Sequence, residues 1–292
     1  MRVYGYGLSM AFFVFVASPN APAAELPASS LTLEAGKDSA DSKEAYLDLD
    51  LGFNNGLHLR GMTGRSRQQL AGDVVETRSR LLGISSDYAA PFVVGFDYEY
   101  LGDTSFLETR TRRFKLGANS DDWYVQIIYE DRRSQVPTDG SLIFFRGKLI
   151  RLPDLFEVNS TGKGVDINYY GFYPWSVRIA YIRYDYEGVV STLENYPQAA
   201  KRFTYLTNDT VTGLESWRRS ADLGYNFDWG TLGVAGSQSE SVLDKSIAST
   251  GSVYLVWDME RDWSTTFTAG KSAVDTAADT TSFGRVALSY RW

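Results

Sequence analysis

Apolar and polar residues alternate along most of this chain, and the last ten residues show the pattern clearly. Between Phe283 and Trp292 the apolar positions are Val286, Leu288, Tyr290 and Trp292, and the intervening positions are Arg285, Ala287, Ser289 and Arg291. Side chains alternate between the two faces of an extended strand, so this segment has one apolar face and one polar, charged face. Such a strand is typical of a sheet with one face in lipid and the other in a polar interior.

The same alternation recurs many times and predicts an all-β chain. The predicted strands are 29–36, 44–53, 56–66, 74–85, 92–103, 107–118, 122–133, 163–172, 175–187, 214–227, 231–240, 251–259, 263–272 and 282–292. Tight turn signals such as Asn54-Asn55-Gly56 separate some of these strands. The series predicts antiparallel strands joined in sequence order.

The predicted connections fall into two alternating classes. Short ones lie at 54–56, 86–91, 119–122, 173–174, 228–231 and 260–262, and longer polar ones lie at 37–43, 67–73, 134–162, 188–213, 241–250 and 273–281, with a shorter one near 103–107. Alternation of short and long connections is typical of an up-and-down transmembrane barrel. We therefore predict a transmembrane antiparallel β-barrel of about fourteen strands. Twelve or sixteen strands are also possible, because 142–151 and 201–208 could form further strand pairs.

The N-terminal segment has the pattern of a secretion signal. Arg2 precedes a short apolar run at 8–17, and Ala21-Pro22-Ala23 offers a small-x-small cleavage site. The run is shorter than the roughly 20 residues that a membrane-spanning helix needs. We expect residues 1–23 to be a removed signal peptide and residues 24–292 to form the barrel.

The C-terminal strand resembles the terminal signal of Gram-negative outer-membrane β-barrels. That signal places a polar residue first and aromatic residues third from last and last, positions that Arg285, Tyr290 and Trp292 fill here, with Ala287 in the usual glycine position. In size and strand number the chain is most similar to small monomeric fourteen-stranded porins of the OmpG type. The resemblance implies passive diffusion of ions or small polar solutes, no enzymatic activity and no cofactor. It also implies outer-membrane location, contact with lipid and lipopolysaccharide, and recognition of the last strand by the barrel-assembly machinery.

Charged residues on the predicted inner face are the candidate pore lining. They are Asp48, Arg60, Arg78, Arg80, Asp97, Glu99, Arg113, Glu130, Arg132, Asp166, Arg178, Asp222 and Arg285. Two arrangements are compatible with the sequence. Acidic and basic sectors face each other across a wet lumen, or neighbouring strands neutralise one another through ion pairs.

Tryptophans at or next to the short turns are predicted to lie at a membrane interface. They are Trp123, Trp175, Trp229, Trp263 and Trp292. An amphipathic aromatic ring favours the headgroup region, where it meets both apolar and polar surroundings.

Other function classes are less well supported by the composition. A net charge of -7 does not favour nucleic-acid binding, and the absence of cysteine excludes thiolate metal sites. The single histidine, His58, follows a short turn and is expected to be structural rather than catalytic. The alternatives that remain are a plugged structural or adhesive barrel, or an outer-membrane enzyme of an unrecognised type.

The long loops and the oligomeric state are left open by the sequence. Residues 134–162 either fold inward as a constriction or extend outward as a β-hairpin, and 188–213 allows the same two arrangements. Small residues near Thr265 and Ala269 are compatible with an oligomer interface and also with simple exposure to lipid.

Overall fold

The computed structural model describes residues 29–70, 73–86, 91–103, 107–137, 142–145, 148–151, 155–187, 215–242, 245–259, 262–275 and 280–292. The predicted signal peptide at 1–23 lies outside these residues. So do the segment 201–208 and the whole of the predicted loop at 188–213.

Sixteen β-strands form within the described residues. They are β1 Ser30–Asp38, β2 Lys43–Gly52, β3 Leu57–Leu70, β4 Asp73–Ser86, β5 Phe92–Asp103, β6 Leu107–Asn119, β7 Trp123–Pro137, β8 Leu142–Phe145, β9 Lys148–Arg151, β10 Leu155–Tyr169, β11 Trp175–Tyr186, β12 Glu215–Phe227, β13 Gly230–Ser241, β14 Ile247–Asp258, β15 Trp263–Val274 and β16 Thr280–Arg291. Among the described residues no helix is long and apolar enough to cross a membrane.

Fourteen of these strands close into one antiparallel barrel, which confirms the predicted fold class and strand number. Each barrel strand pairs with the next one along the chain, and β7 pairs with β10. The barrel closes where β1 pairs with β16, from Ser30 opposite Arg291 to Asp38 opposite Phe283. Reciprocal backbone hydrogen bonds of 3.1 Å between Ser29 and Trp292 complete this seam.

The strands β8 and β9 form a separate two-stranded hairpin within the long connection between β7 and β10. Residues 142–151 therefore form a β-hairpin, the secondary structure of the second arrangement considered for 134–162. The preceding and following barrel strands also extend into this segment, because β10 begins at Leu155, opposite Pro137 of β7. The prediction that β10 starts at 163 was wrong.

The two ends of the barrel differ in their connections. We call the end where Ser29 meets Trp292 the lower end, and the opposite end the upper end. Tight turns at the lower end include the one closed by Gly56, whose φ of 71° suits glycine, and whose N–H donates to Phe53 at 3.0 Å. At the upper end, β1 to β2 and β3 to β4 are joined by shorter links than predicted, because these strands run further than their apolar pattern.

The outer face of the barrel is a broad apolar belt. Leu82 is 69% exposed, Ile127 59% and Val253 54%, whereas the inward neighbour Ile128 is 7% exposed. Contiguous exposed apolar surface on this scale is not found on monomeric soluble proteins. The belt explains why the sequence alternates: one face of each strand is apolar, and the other faces the barrel interior.

Candidate functional site: the inner wall of the barrel

Charged residues line the inner wall on many of the strands. The acidic ones are Glu34, Asp38, Glu44, Asp48, Asp50, Asp97, Glu99, Glu130, Asp166, Glu215 and Asp222, and the basic ones are Arg60, Arg113, Lys115, Arg132, Arg178, Arg218, Arg285 and Arg291. This set contains every predicted lining residue except Arg78 and Arg80. The acids slightly outnumber the bases.

A dense ion-pair network centres on Glu130, whose side chain is fully buried. Arg113 donates from Nε to Glu130 Oε1 at 2.6 Å, and its Nη atoms lie 3.5 Å from Asp97 and 3.3 Å from Glu99. Lys115 adds a 2.5 Å contact to Asp97. One guanidinium on β6 thus holds three carboxylates on its two neighbouring strands, β5 and β7, and these contacts compensate the cost of burying the charges.

The same network continues across β10 to β11 and β12. Arg132 donates to the Tyr184 hydroxyl at 2.8 Å, and that hydroxyl donates to Glu130 Oε2 at 2.9 Å. The Arg132 guanidinium also lies 4.4 Å from the centre of the Tyr184 ring. Glu215 lies 3.8 Å from Arg132 and 3.9 Å from Arg218, so the network spans the inner wall from β5 to β12.

Two glycines on β10 leave room for side chains of β11 to pass over β10 and reach β7. Gly162 is paired with Glu130 on one side and Tyr184 on the other. A Cβ on Gly162 would lie 2.7 Å from the Tyr184 ring, and one on Gly164 would lie 2.5 Å from Ile182 Cγ1. With no side chains on β10 at these positions, Tyr184 and Ile182 lean over the strand and contact β7.

Smaller ion pairs join neighbouring strands elsewhere on the inner wall. Arg178 contacts Asp166 at 2.6 Å, and Arg285 contacts Glu44 at 2.5 Å. Arg60 likewise contacts Asp48 at 2.5 Å. The predicted alternative of separate acidic and basic sectors is therefore wrong, because acids and bases interleave and pair at short range.

His58 lies on the inner wall near the lower end, with Nδ1 3.6 Å from Asp50 Oδ1. The described residues contain no group of three or more histidine, cysteine, aspartate or glutamate side chains that could hold a metal ion.

The inner wall of β13 to β15 is mostly uncharged and rich in hydroxyl groups. Its inward residues include Thr231, Ser237, Ser239, Thr250, Ser252, Ser264, Thr266, Thr268 and Ser272. Thr250 and Ser272 hydrogen-bond across strands at 3.0 Å. In the closed strand order this wall faces β4 to β6, which include Asp97, Glu99 and Arg113 of the charged network. The interior therefore has a densely charged side and a hydroxyl-lined side.

Arg78 and Arg80 lie on the outer face, contrary to the sequence prediction. On β4, Leu82 and Ile84 face outward, and Leu81, 6% exposed, faces inward. Period-two alternation then puts Arg80 and Arg78 on the outer face as well, where they continue the line of Leu82 beyond the apolar belt. Their charge was taken as a sign of an inner position, but charge is equally favourable on the outer face above the lipid tails.

The inner carboxylates that the sequence analysis missed include Glu34, Asp38, Glu44 and Glu215. Glu34 and Glu44 alternate with outward residues such as Leu33 and Ala45, so alternation alone could have placed them. Glu215 could not be found that way. A register irregularity between Glu215 and Trp217 turns Glu215 inward, although its odd position predicts an outward side chain.

Outward-facing Lys and Arg residues form a ring at the upper end, which we call the basic collar. Its members are Lys37, Lys43, Arg65, Arg67, Arg78, Arg80, Arg110, Arg112, Arg133, Lys163, Arg183, Arg219 and Lys271. They outnumber the outward acids at this end, which are Glu76, Glu108, Asp131, Glu157, Asp185 and Glu240. On several strands the collar residue is the first outward position above the apolar belt.

In the turn between β1 and β2, Lys37 Nζ lies 2.9 Å from Asp41. The hydrogen bond that Lys37 donates holds the pKa of Asp41 below its usual value.

An aromatic girdle encircles the lower end. Trp123, Trp175, Trp229, Trp263 and Trp292 are each between 39% and 54% exposed. Neighbouring rings touch, including Trp123 with Tyr169 at a centroid distance of 4.3 Å and Trp263 with Tyr290 at 4.7 Å. Trp257, 48% exposed near the same end, was not among the predicted interface residues.

No family model matches the chain. No curated protein matches it either. Similar solved structures include the outer-membrane expressed OmpT of Vibrio cholerae, with 10% identity over 91% of this chain and 96% of that chain and a TM-score of 0.48. They also include the NanC porin, with 11% identity, 89% and 98% coverage and a TM-score of 0.45. A KdgM porin in complex with disordered oligogalacturonate has 12% identity, the same coverage and a TM-score of 0.43. At this level these likenesses assign neither a family nor a function to the chain.

Proposed function

We propose that the protein is an integral outer-membrane channel through which ions or small polar solutes diffuse passively. It requires no cofactor and performs no covalent chemistry on the solute. The observation that carries the proposal is the pairing of an apolar outer belt with a charged inner wall in one closed barrel of fourteen strands. Barrels of about eight strands fill their interior with side chains, whereas those of 16 to 18 strands leave an aqueous channel.

The inner wall supports a polar path rather than a dry core. Most inward positions of β13 to β15 carry Ser or Thr, which are too short to fill a wide barrel and offer hydroxyl groups to water or solute. The facing wall holds its charges in pairs around Arg113 and Glu130. Paired charges present both donors and acceptors to a passing polar solute while leaving a small net field.

The outer face supports insertion in a membrane. The apolar belt meets the lipid tails, and the aromatic girdle marks the interface at the lower end. The lower end has the short turns and the strand termini, so the proposal assigns it to the periplasmic side.

A proteoliposome swelling assay tests the proposal. Liposomes containing the refolded barrel, without residues 1–23, are moved into isosmotic solutions of sugars and amino acids of increasing size. A channel gives swelling whose rate falls as the solute grows, and liposomes without protein give none. A folded barrel that admits no solute contradicts the proposal and favours a plugged structural or adhesive barrel.

A matched pair of variants separates the lumen from the lipid face. Thr268 faces inward and its neighbour Ala269 faces outward. Thr268→Trp narrows the lumen and is expected to slow the uptake of the larger solutes, whereas Ala269→Trp places the same ring in lipid and leaves uptake unchanged. If Thr268→Trp and Ala269→Trp liposomes take up the larger solutes at the same rate, the solutes do not cross through the lumen.

A further inference from the structure

Basic residues lie directly opposite one another on neighbouring strands of the outer face. Arg65 is paired with Arg78, Arg110 with Arg133, and Lys163 with Arg183. All three pairs belong to the basic collar. Like charges directly opposite in a β-sheet destabilise it, so each pair favours an anion that would neutralise it.

The described residues of the inner wall do not have this arrangement. There, Arg113 is paired across strands with Asp97 on one side and Glu130 on the other, and Arg178 is paired with Asp222. The inner network thus supplies its own counter-charges. Like charges therefore lie opposite one another on the outer face, whereas opposite charges lie opposite one another on the inner face.

Acidic residues of the protein neutralise two of the three collar pairs incompletely, whereas Arg110 and Arg133 each contact a carboxylate of their own, Glu108 and Glu157. Arg65 and Arg78 both contact Glu76, so two guanidinium groups share this carboxylate. Lys163 and Arg183 are both exposed, and within the part of the chain that the structure describes neither has an ion pair. A pair of cations with this spacing matches a dianion better than a single negative charge.

We propose that the collar pairs Arg65–Arg78 and Lys163–Arg183 bind phosphate monoester groups of a glycolipid in the surrounding outer leaflet, the headgroup chemistry of lipopolysaccharide. A phosphate monoester carries a charge of about −1.5 to −2 at neutral pH, whereas the phosphodiester of a phospholipid carries one. The proposal rests on the membrane location in the proposed function. It names the ligand and the residues that hold it.

The position of the collar fits the same lipid. On β10 and β11 the collar residues Lys163 and Arg183 follow immediately above Val165 and Tyr181, which belong to the apolar belt. Acyl chains lying against the belt would bring the phosphates of their own headgroup to the collar. Among the described residues, the lower end has aromatic rings in the corresponding place and no such ring of cations.

Lipid binding to the intact folded barrel tests this inference. Native mass spectrometry from detergent micelles compares a diphosphorylated lipid A, the same lipid after enzymatic removal of its phosphates, phosphatidylglycerol and inorganic phosphate. The wild-type barrel is expected to bind diphosphorylated lipid A most tightly. Lys163→Gln/Arg183→Gln is expected to weaken that binding about tenfold, the loss of one charge-assisted contact.

The charge-preserving variant Lys163→Arg/Arg183→Lys is the matched control and should bind nearly as the wild type does. Arg65→Gln/Arg78→Gln gives a second removal at a different pair, should the first variant not fold. Heat-modifiable migration on a gel verifies folding of each variant before binding is measured.

The outcomes separate this inference from the proposed channel. Equal binding of lipid A with and without phosphates, or unchanged binding by both charge-removal variants, would overturn the lipid site even in a barrel that conducts. Inorganic phosphate competing at equal phosphate concentration would assign the pairs to a soluble anion and overturn the lipid assignment. A barrel that binds lipid A as expected but admits no solute supports the lipid site and contradicts the channel.

Discussion

At the scale of single residues, the same side chain serves opposite purposes on the two faces of the sheet. Arg113 faces inward, is held by three carboxylates and is mostly buried. Arg80 faces outward above the apolar belt, next to Tyr100 on the neighbouring strand. The face of the strand decides the role, because the inner face surrounds Arg113 with three acids and buries it, whereas the outer face leaves Arg80 exposed.

The buried carboxylate at the centre of the inner network is expected to be the most sensitive charge in the barrel. In Glu130→Gln, Arg113 and Arg132 lose their shared anion, and breaking a buried pair in this way costs about 3 to 5 kcal/mol. The measurement is the free energy of urea unfolding in detergent. Glu157→Gln is the control, because Glu157 pairs with Arg133 on the exposed outer face, where an ion pair contributes about 1 kcal/mol or less. Equal losses would contradict the central position of Glu130.

The glycine that lets Tyr184 cross β10 gives a second prediction. In Gly162→Ala the new Cβ would lie 2.7 Å from the Tyr184 ring, so the ring must move and its hydrogen bond to Glu130 is broken. Such overpacking costs about 1 to 3 kcal/mol. In the matched Gly251→Ala the new Cβ has nothing within 4 Å and faces outward, so stability should be unchanged or slightly raised. Unfolding midpoints compare the two, and a similar loss in both would contradict the proposed crossing.

Residue positions were predictable where alternation is regular and not where it is broken. Asp97, Glu99 and Glu130 follow directly from the apolar residues between them. Glu215 faces inward only because of a register irregularity that nothing in its neighbours signals. Arg80 was misplaced because charge was given more weight than its phase with Leu82.

At the scale of the strand, most elements share one plan from the lower to the upper end. The outward-facing residues of β11 are, from the lower to the upper end, Trp175, Val177, Ile179, Tyr181 and Arg183. An aromatic residue, an apolar run and a basic residue in that order are what the proposed membrane location requires of a strand that crosses an interface, the lipid tails and the opposite headgroups.

This plan predicts that an outward-facing arginine destabilises the barrel by an amount that depends on its position between the lower and the upper end. Ile127→Arg places a guanidinium within the apolar belt and is expected to cost about 2 to 4 kcal/mol in lipid vesicles. Thr161→Arg also faces outward, on neighbouring β10, but lies beyond the collar residue Lys163, where the cost should be about 1 kcal/mol or less. Refolding equilibria in vesicles measure both. Equal costs would show that the belt does not face lipid tails.

Strand positions were largely predictable because the apolar face supplies the signal. That signal ends where the apolar belt ends. The part of β10 between Leu155 and Lys163 has Glu157, Asn159 and Thr161 on its outward face, so neither face is apolar and alternation cannot be seen. For this reason the sequence analysis did not predict the start of β10 at Leu155 or the short links at the upper end.

At the scale of the whole molecule, the barrel closes because the number of strands is even and the first strand pairs with the last. An even number of antiparallel strands brings the first and last strands side by side in the correct direction, and β1 pairs with β16 over its full length. The alternation of short and long connections predicted this number. The hairpin of β8 and β9 was one of two predicted arrangements, since apolar residues at 142–151 suit a hairpin and an inward loop equally well.

The central claim is that this closed barrel encloses an open polar path, and single-channel recording tests it most directly. The refolded protein is added to a planar bilayer, and conductance and reversal potential are measured under a salt gradient. The account predicts discrete steps with a stable open state and a weak preference for cations, because the inner acids slightly outnumber the bases and most charges are paired. A folded, heat-modifiable barrel that inserts in the bilayer and gives no steps would contradict it.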